Sequence, residues 1–162
     1  SKLESEKMLL DKNNKFSVVC YRIPGFFSTN LSRDFPLIVK IARTIINNKK
    51  LKIFNSSSKF NNILDLKEIL KILKITIKKN GYTKKIYNLS ASKPMKFIEI
   101  IYLLKKNFKS STNLIEKKST KKSFIISNRK FSKEFNFKFS STKNIINRCC
   151  SQILKKKYAW RL

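Results

Sequence analysis

The apolar positions along this chain switch repeatedly between helical and strand spacing. Residues 1–11 (SKLESEKMLLD) put Leu3 and Leu10 on one face and Glu4, Glu6 and Lys7 toward solvent, which predicts a helix. After a polar turn at 12–15, Phe16–Arg22 (FSVVCYR) is β-branched and apolar, the pattern of a buried strand, and Pro24-Gly25 ends it. Ile38, Ile41, Ala42 and Ile45 recur at i, i+3, i+4 and i+7, predicting a helix capped by Ser32 or Asp34 with Pro36 in its first turn. Two short strands follow at 51–54 and 60–64, separated by the polar turn 55–58. Asp65 and Glu68 have capping-box spacing and open a helix whose apolar stripe reads Leu66, Ile69, Leu70, Leu73 and Ile77, closed by Gly81. Residues 85–89 read as a strand, and Pro94 starts a helix with Phe97, Ile100, Ile101 and Leu104 on one face. Short strands at 113–116 and 123–126 and a short helix at 128–135 come next. A last helix, capped by Ser140 or Ser141, carries the stripe Ile146, Cys149, Cys150 and Ile153.

Alternating strands and helices give an α/β class, and no repeat of solenoid period is visible. Charge changes the picture. Lys+Arg number 38 against 9 Asp+Glu, a formal charge of +29 over 162 residues. That is the footprint of a nucleic-acid-binding protein, such as a small ribosomal component, because basic surfaces attract phosphates and release counterions. Lysine outnumbers arginine 32 to 6, however, while Ile (21), Asn (16) and Phe (13) are also abundant. This is the signature of A/T-rich codons, whereas readers of phosphate and bases favour the bidentate fork of Arg. A hydrophobic content of 41% excludes a disordered basic tail. Three Cys make no disulfide framework, and the absence of His with few carboxylates argues against a zinc site, so no metal is expected. The longest apolar run, residues 100–104, is too short to span a bilayer, and the charged start has no signal-peptide core. A cytoplasmic protein without membrane contact is expected. The chain opens on Ser1 inside a helical pattern, which suggests a piece of something longer.

In order along the chain, these segments resemble the C-terminal part of the extended short-chain dehydrogenase/reductase family, the NAD(P)-dependent epimerases, dehydratases and reductases of nucleotide sugars. Ser1-Lys2 with Glu6 resembles the second half of Y-x-x-S-K-x-x-x-E. FSVVCYRIPGFF (16–27) is similar to the following strand and its R-x-P exit. FNNILDL (60–66) is similar to the R-D-F-V-x-V-x-D-L segment. IYNLS (86–90) followed by KPMKFIE (93–99) resembles Y-N-[IVL]-[GS]-S-G-x-P-x-S-x-x-E, the most specific match. Residues 124–139 with the Ser140/Ser141 cap resemble the late segment that enters the last helix.

The resemblance implies a fold consisting of the C-terminal end of a Rossmann-type NAD(P)-binding domain (1–29) plus a small α/β substrate-binding lobe (30–162). It implies NAD or NADP as cofactor, a nucleotide sugar as substrate and a homodimeric parent protein. Lys2 falls on the family's catalytic lysine, which lowers the pKa of a tyrosine and holds the nicotinamide ribose. A phenol does acid/base work near pH 7 only beside a cation that favours phenolate. That tyrosine would be the third residue before Ser1. Pro24 and Gly25 fall where the chain passes the nicotinamide. Gly25 falls where many relatives touch the sugar nucleotide, Asn61 and Asn62 are candidates to face substrate, and Lys121 or Lys122 is the candidate to meet its diphosphate where lysines and Ser123 replace the family's late Arg/Asp pair. Several positions depart from the pattern. Gly25 stands where many relatives have Asn, and Ser58 or Lys59 stands at the arginine of R-D-F. The two glycines, Gly25 and Gly81, are too far apart to form a phosphate-cradling turn. Asp65 reads as a structural cap, and Cys20, Cys149 and Cys150 as small buried hydrophobes. Without the missing tyrosine, the chain alone is expected to be inactive.

Overall fold

The computed structural model describes residues 1–11, 16–27, 36–79, 85–118 and 124–159, with side chains described to 155. Among them the order is α1 (Lys2–Leu9), β1 (Val19–Arg22), α2 (Leu37–Ile46), β2 (Leu51–Phe54), β3 (Lys59–Phe60), α3 (Leu66–Lys78), β4 (Lys85–Asn88), β5 (Met95–Lys96), α4 (Phe97–Phe108), β6 (Leu114–Lys117), α5 (Arg129–Phe135) and α6 (Thr142–Ala159). The class is α/β. The strands form three pairs: β1–β4 and β2–β6 are parallel, and β3–β5 is antiparallel. No helix among the described residues is long and apolar enough to cross a membrane.

Two apolar cores result. One joins α2, α4 and α6 over β2: Ile38, Ile41, Ala42, Ile45, Ile100, Ile101, Leu104, Ile146, Cys149, Cys150 and Ile153 are all buried, so these three helices bury the stripes their periodicity predicts. The other gathers Leu64, Ile72, Tyr87, Leu89, Phe131 and Phe139, with Val19 and Tyr21 of β1 packed against it. Its centre is Phe131, which stacks on Phe135 at 4.3 Å and meets Tyr87 edge-on at 5.3 Å. Thus β1 shares its core with α3, β4 and α5, elements far along the chain.

The structure corrects several sequence expectations. β1 begins at Val19 rather than Phe16 and is only half-buried. The N-cap of α2 is Pro36, which has no side-chain cap bond. Ser32, Asp34 and Gly81 lie outside the described residues. β3 stops at Phe60; the following connection returns through Leu64, whose backbone bridges Phe26. α4 starts at Phe97, because β5 occupies the residues after Pro94. Residues 124–128 form no strand. The largest correction concerns α3. Leu66, Leu70, Leu73 and Ile77 face outward, at 60%, 50%, 39% and 79% exposure, while Glu68, Ile72 and Thr76 are buried. The apolar arc of this helix is wider than one face, and periodicity cannot say which part of it packs. The capping box is also only half formed. Asp65 accepts from the Glu68 backbone N–H, but the Glu68 carboxylate accepts from the Ser140 backbone N–H at 2.6 Å.

Candidate functional site

Parallel strands gather ligand-binding residues at their carboxyl ends, where the chain leaves the sheet and the connecting loops diverge. β1 and β4 are in register, with their last residues, Arg22 and Asn88, side by side. A cleft of about 360 Å³ opens there, lined by Arg22, Ile23, Pro24, Asn88 and the segment Ile125–Ser127. A neighbouring cleft of about 580 Å³ shares Arg22 and Ile23 with it and runs along β1 to α1, where Lys2, Ser5, Glu6 and Leu9 form its far wall. Lys2 and Glu6 are one turn apart, so both lie on the side of α1 that meets β1. The Arg22 guanidinium donates from Nε to Glu6 Oε2 at 2.9 Å and from its Nη2 to Oε1, a two-pronged contact that anchors α1 to the end of β1. This contact holds the Glu6 carboxyl below its ordinary pKa. Cys20 on β1 lines the same cleft, and burial pushes its thiol pKa up, so it stays protonated at neutral pH.

The predicted site residues fall into separate groups. Lys2 lines the cleft along α1 and Pro24 the neighbouring one at the strand ends. Gly25 lies in the exit loop, where its carbonyl accepts from the Leu64 N–H at 3.0 Å; a Cβ there would meet the Pro36 Cβ at 3.3 Å and the Asn62 carbonyl at 3.7 Å. Its lack of a side chain lets three segments approach closely. Asn61 is only 4% exposed, and its carboxamide is engaged with backbone. Burial therefore removes it from the surface that a substrate would touch. Asn62 is half-buried, with its Oδ1 enclosed and unpartnered among the described residues. Lys121 and Lys122 lie outside the described residues. Arg22, Asn88 and Ser127 were missed in the sequence, since only the pairing of β1 with β4 reveals that their carboxyl ends are neighbours.

No protein-family model matches the sequence, and no curated protein matches it either. Solved structures do match in fold. UDP-glucose 4-epimerase of Thermotoga maritima, solved with UDP-glucose, superposes at TM-score 0.78 over 97% of this chain and 52% of its own, at 12% identity. An epimerase of Methanothermobacter thermautotrophicus gives TM-score 0.79 over 99% and 49%, at 12% identity. RMD of Pseudomonas aeruginosa, solved with NADPH, gives 0.76 over 96% and 55%, at 17% identity. The chain therefore has the fold of about half of a nucleotide-sugar epimerase, and it spans about half the length of the structures it matches. At these identities the likeness establishes the fold.

Proposed function

We propose that this chain is the C-terminal, substrate-binding part of an NAD(P)-dependent enzyme that acts on a nucleotide sugar as an epimerase, dehydratase or reductase. The observation that carries the reading is the cleft at the carboxyl ends of β1 and β4, with a neighbouring cleft lined by Lys2, in a fold shared along nearly the whole chain with such enzymes. In this reading residues 1–29 belong to the dinucleotide-binding domain and 30–162 to the lobe that closes over the sugar. The parent enzyme is cytoplasmic and homodimeric.

The residues present fit one end of the cofactor. The Lys2 ammonium supplies hydrogen-bond donors and a positive charge in the cleft between α1 and β1, next to the one that Pro24 lines, which suits a ribose and a phenolate. Two glycines 56 residues apart offer no cradle for a pyrophosphate, so that end is held by residues outside this chain. The bound nicotinamide supplies hydride transfer, while this chain orients the sugar and holds a positive charge where the proton moves. The exposed seam of α3 supports the same view. Among the described residues β1 pairs with β4 alone, and parallel sheets are ordinarily covered on both faces and extended at their edges. A larger sheet and its helices would cover both features.

The reading is tested by the coding sequence in frame upstream of Ser1. A tyrosine codon three residues before Ser1, with a glycine-rich strand–turn–helix further upstream, is the expected result; replacing Lys2 by Met in the complete enzyme then abolishes turnover while leaving its melting temperature unchanged. A start codon immediately before Ser1 would overturn the reading.

A further inference from the structure

The segment Ile125–Ser127 lines the cleft without belonging to a strand pair. Its backbone still needs hydrogen-bond partners. Ile126 finds them on one side chain. Asn61 donates from Nδ2 to the Ile126 carbonyl at 2.8 Å and accepts on Oδ1 from the Ile126 N–H at 3.0 Å. This two-way contact is what a neighbouring strand would provide through its own peptide group. The second hydrogen of the same Nδ2 is shared between the Ala91 carbonyl at 3.1 Å and Ser90 Oγ at 3.2 Å. Ser90 Oγ donates in turn to the Ile126 carbonyl at 2.9 Å, and Asn128 Nδ2 donates to the Ser90 carbonyl at 2.8 Å. Asn61 and Ser90 are buried, and Ile126 and Asn128 are half-buried, so the inner half of this group is shielded from water.

We infer that Asn61 is a positioning residue: its carboxamide substitutes for a missing strand, clips Ile126 in place and so fixes the wall Ile125–Ser127 against Arg22 and Pro24 across the cleft. Asn suits this task because its amide carries a donor and an acceptor side by side, as a peptide does. An aliphatic residue would leave the Ile126 N–H unpaired and its carbonyl with Ser90 Oγ alone, and an ionised Asp would put an acceptor opposite the Ile126 carbonyl. Low dielectric strengthens the satisfied network and makes its loss local and large. Asn61 thus governs how the cleft holds a ligand without touching one. The inference rests on the proposed function only for the identity of that ligand.

The test is amide hydrogen exchange, followed residue by residue by NMR in the full chain, together with titration of UDP-glucose. In Asn61→Leu, which removes the acceptor of the Ile126 N–H, protection of the Ile126 amide should fall about tenfold or more, as expected when an amide partner is lost, while amides in α4 and α6 keep theirs. UDP-glucose affinity should fall about tenfold with it. Ser90→Ala removes only one contact to the Ile126 carbonyl, so the fall should be a few-fold in both readouts. It serves as the deciding variant if Asn61→Leu does not fold. Unchanged exchange at Ile126 in the variant that folds, or an equal loss across the whole molecule, would overturn the inference. If the unaltered chain shows no UDP-glucose binding, the proposed function loses its substrate, and the exchange data decide the role of Asn61 by themselves.

Discussion

Asp65 and Arg148 are 83 residues apart in sequence, yet their side chains form an ion pair that ties the first turn of α3 to the middle of α6. The carboxylate is 6% exposed and the guanidinium 34%. The same Asp65 caps α3 by accepting the Glu68 backbone N–H at 2.9 Å. One side chain therefore does two separable things. Asp65→Asn keeps a cap and loses the charge, whereas Asp65→Ala loses both. Arg148→Met leaves a buried carboxylate unpaired and should destabilise by roughly 2 kcal/mol, less than for a fully enclosed pair because Arg148 is partly solvated. Thermal melting should rank Asp65→Ala below Asp65→Asn by about 1 kcal/mol, the usual value of a cap.

The two apolar rows of α3 should respond oppositely to substitution. Ile72 is 1% exposed. Ile72→Ala should cost about 3 kcal/mol and lower the melting temperature by roughly 6–10 °C. Replacing Leu70 and Ile77 by Gln should leave the melting temperature within about 2 °C. It should also reduce self-association of the isolated chain, because an exposed apolar patch is removed. Light scattering before and after the double substitution checks the second point. Equal destabilisation by both changes would mean that the outer row is packed.

The three thiols should differ in reactivity. Burial raises Cys149 and Cys150 from an ordinary value of 9.0 to about 12. Cys149 also donates to the Phe27 carbonyl at 3.4 Å. The thiolate is the reactive form, so at pH 8 a thiol reagent should label one cysteine, Cys20, in the native protein and all three after denaturation. The linkage sign follows. The folded state keeps protons that the unfolded state releases above about pH 9, so the contribution of these thiols to stability is complete below that pH and declines from there toward pH 12. A melting series from pH 8 to 10.5 should show this decline weakened in Cys150→Ala.

Glu134 fastens α5 to β4. Its carboxylate takes hydrogen bonds from the Lys85 ammonium and, at 2.6 Å, from the Tyr87 hydroxyl. The Lys85 contact first, and the Tyr87 contact second, hold the Glu134 carboxyl below its ordinary value of 4.5. A depressed carboxyl pKa stabilises the fold above the unfolded value, and this stabilisation is lost as pH falls through and below 4.5. Glu134→Gln should lower stability by about 1 kcal/mol at pH 7. The difference from the parent chain should vanish near pH 3 in urea titrations.

The sequence by itself determined the elements whose apolar residues form one unambiguous row. Ile38, Ile41, Ala42 and Ile45 left α2 one face to bury, and Phe97, Ile100, Ile101 and Leu104 did the same for α4, because side-chain direction repeats with the backbone period. It also determined the charge and the ordered segments on which the proposed roles of Lys2 and Pro24 rest. Tertiary structure alone decided the rest. α3 offers two apolar rows, and only the surface presented by β1 and β4 selects Ile72 and Thr76 over Leu70 and Ile77. Asn61 reads as a polar loop residue until Ile126, 65 positions later, arrives against its carboxamide. Arg22 and Asn88, 66 positions apart, become neighbours only when their two strands pair in parallel. Local spacing fixes the direction of a side chain along its own element, but it cannot specify which distant backbone will meet that side chain.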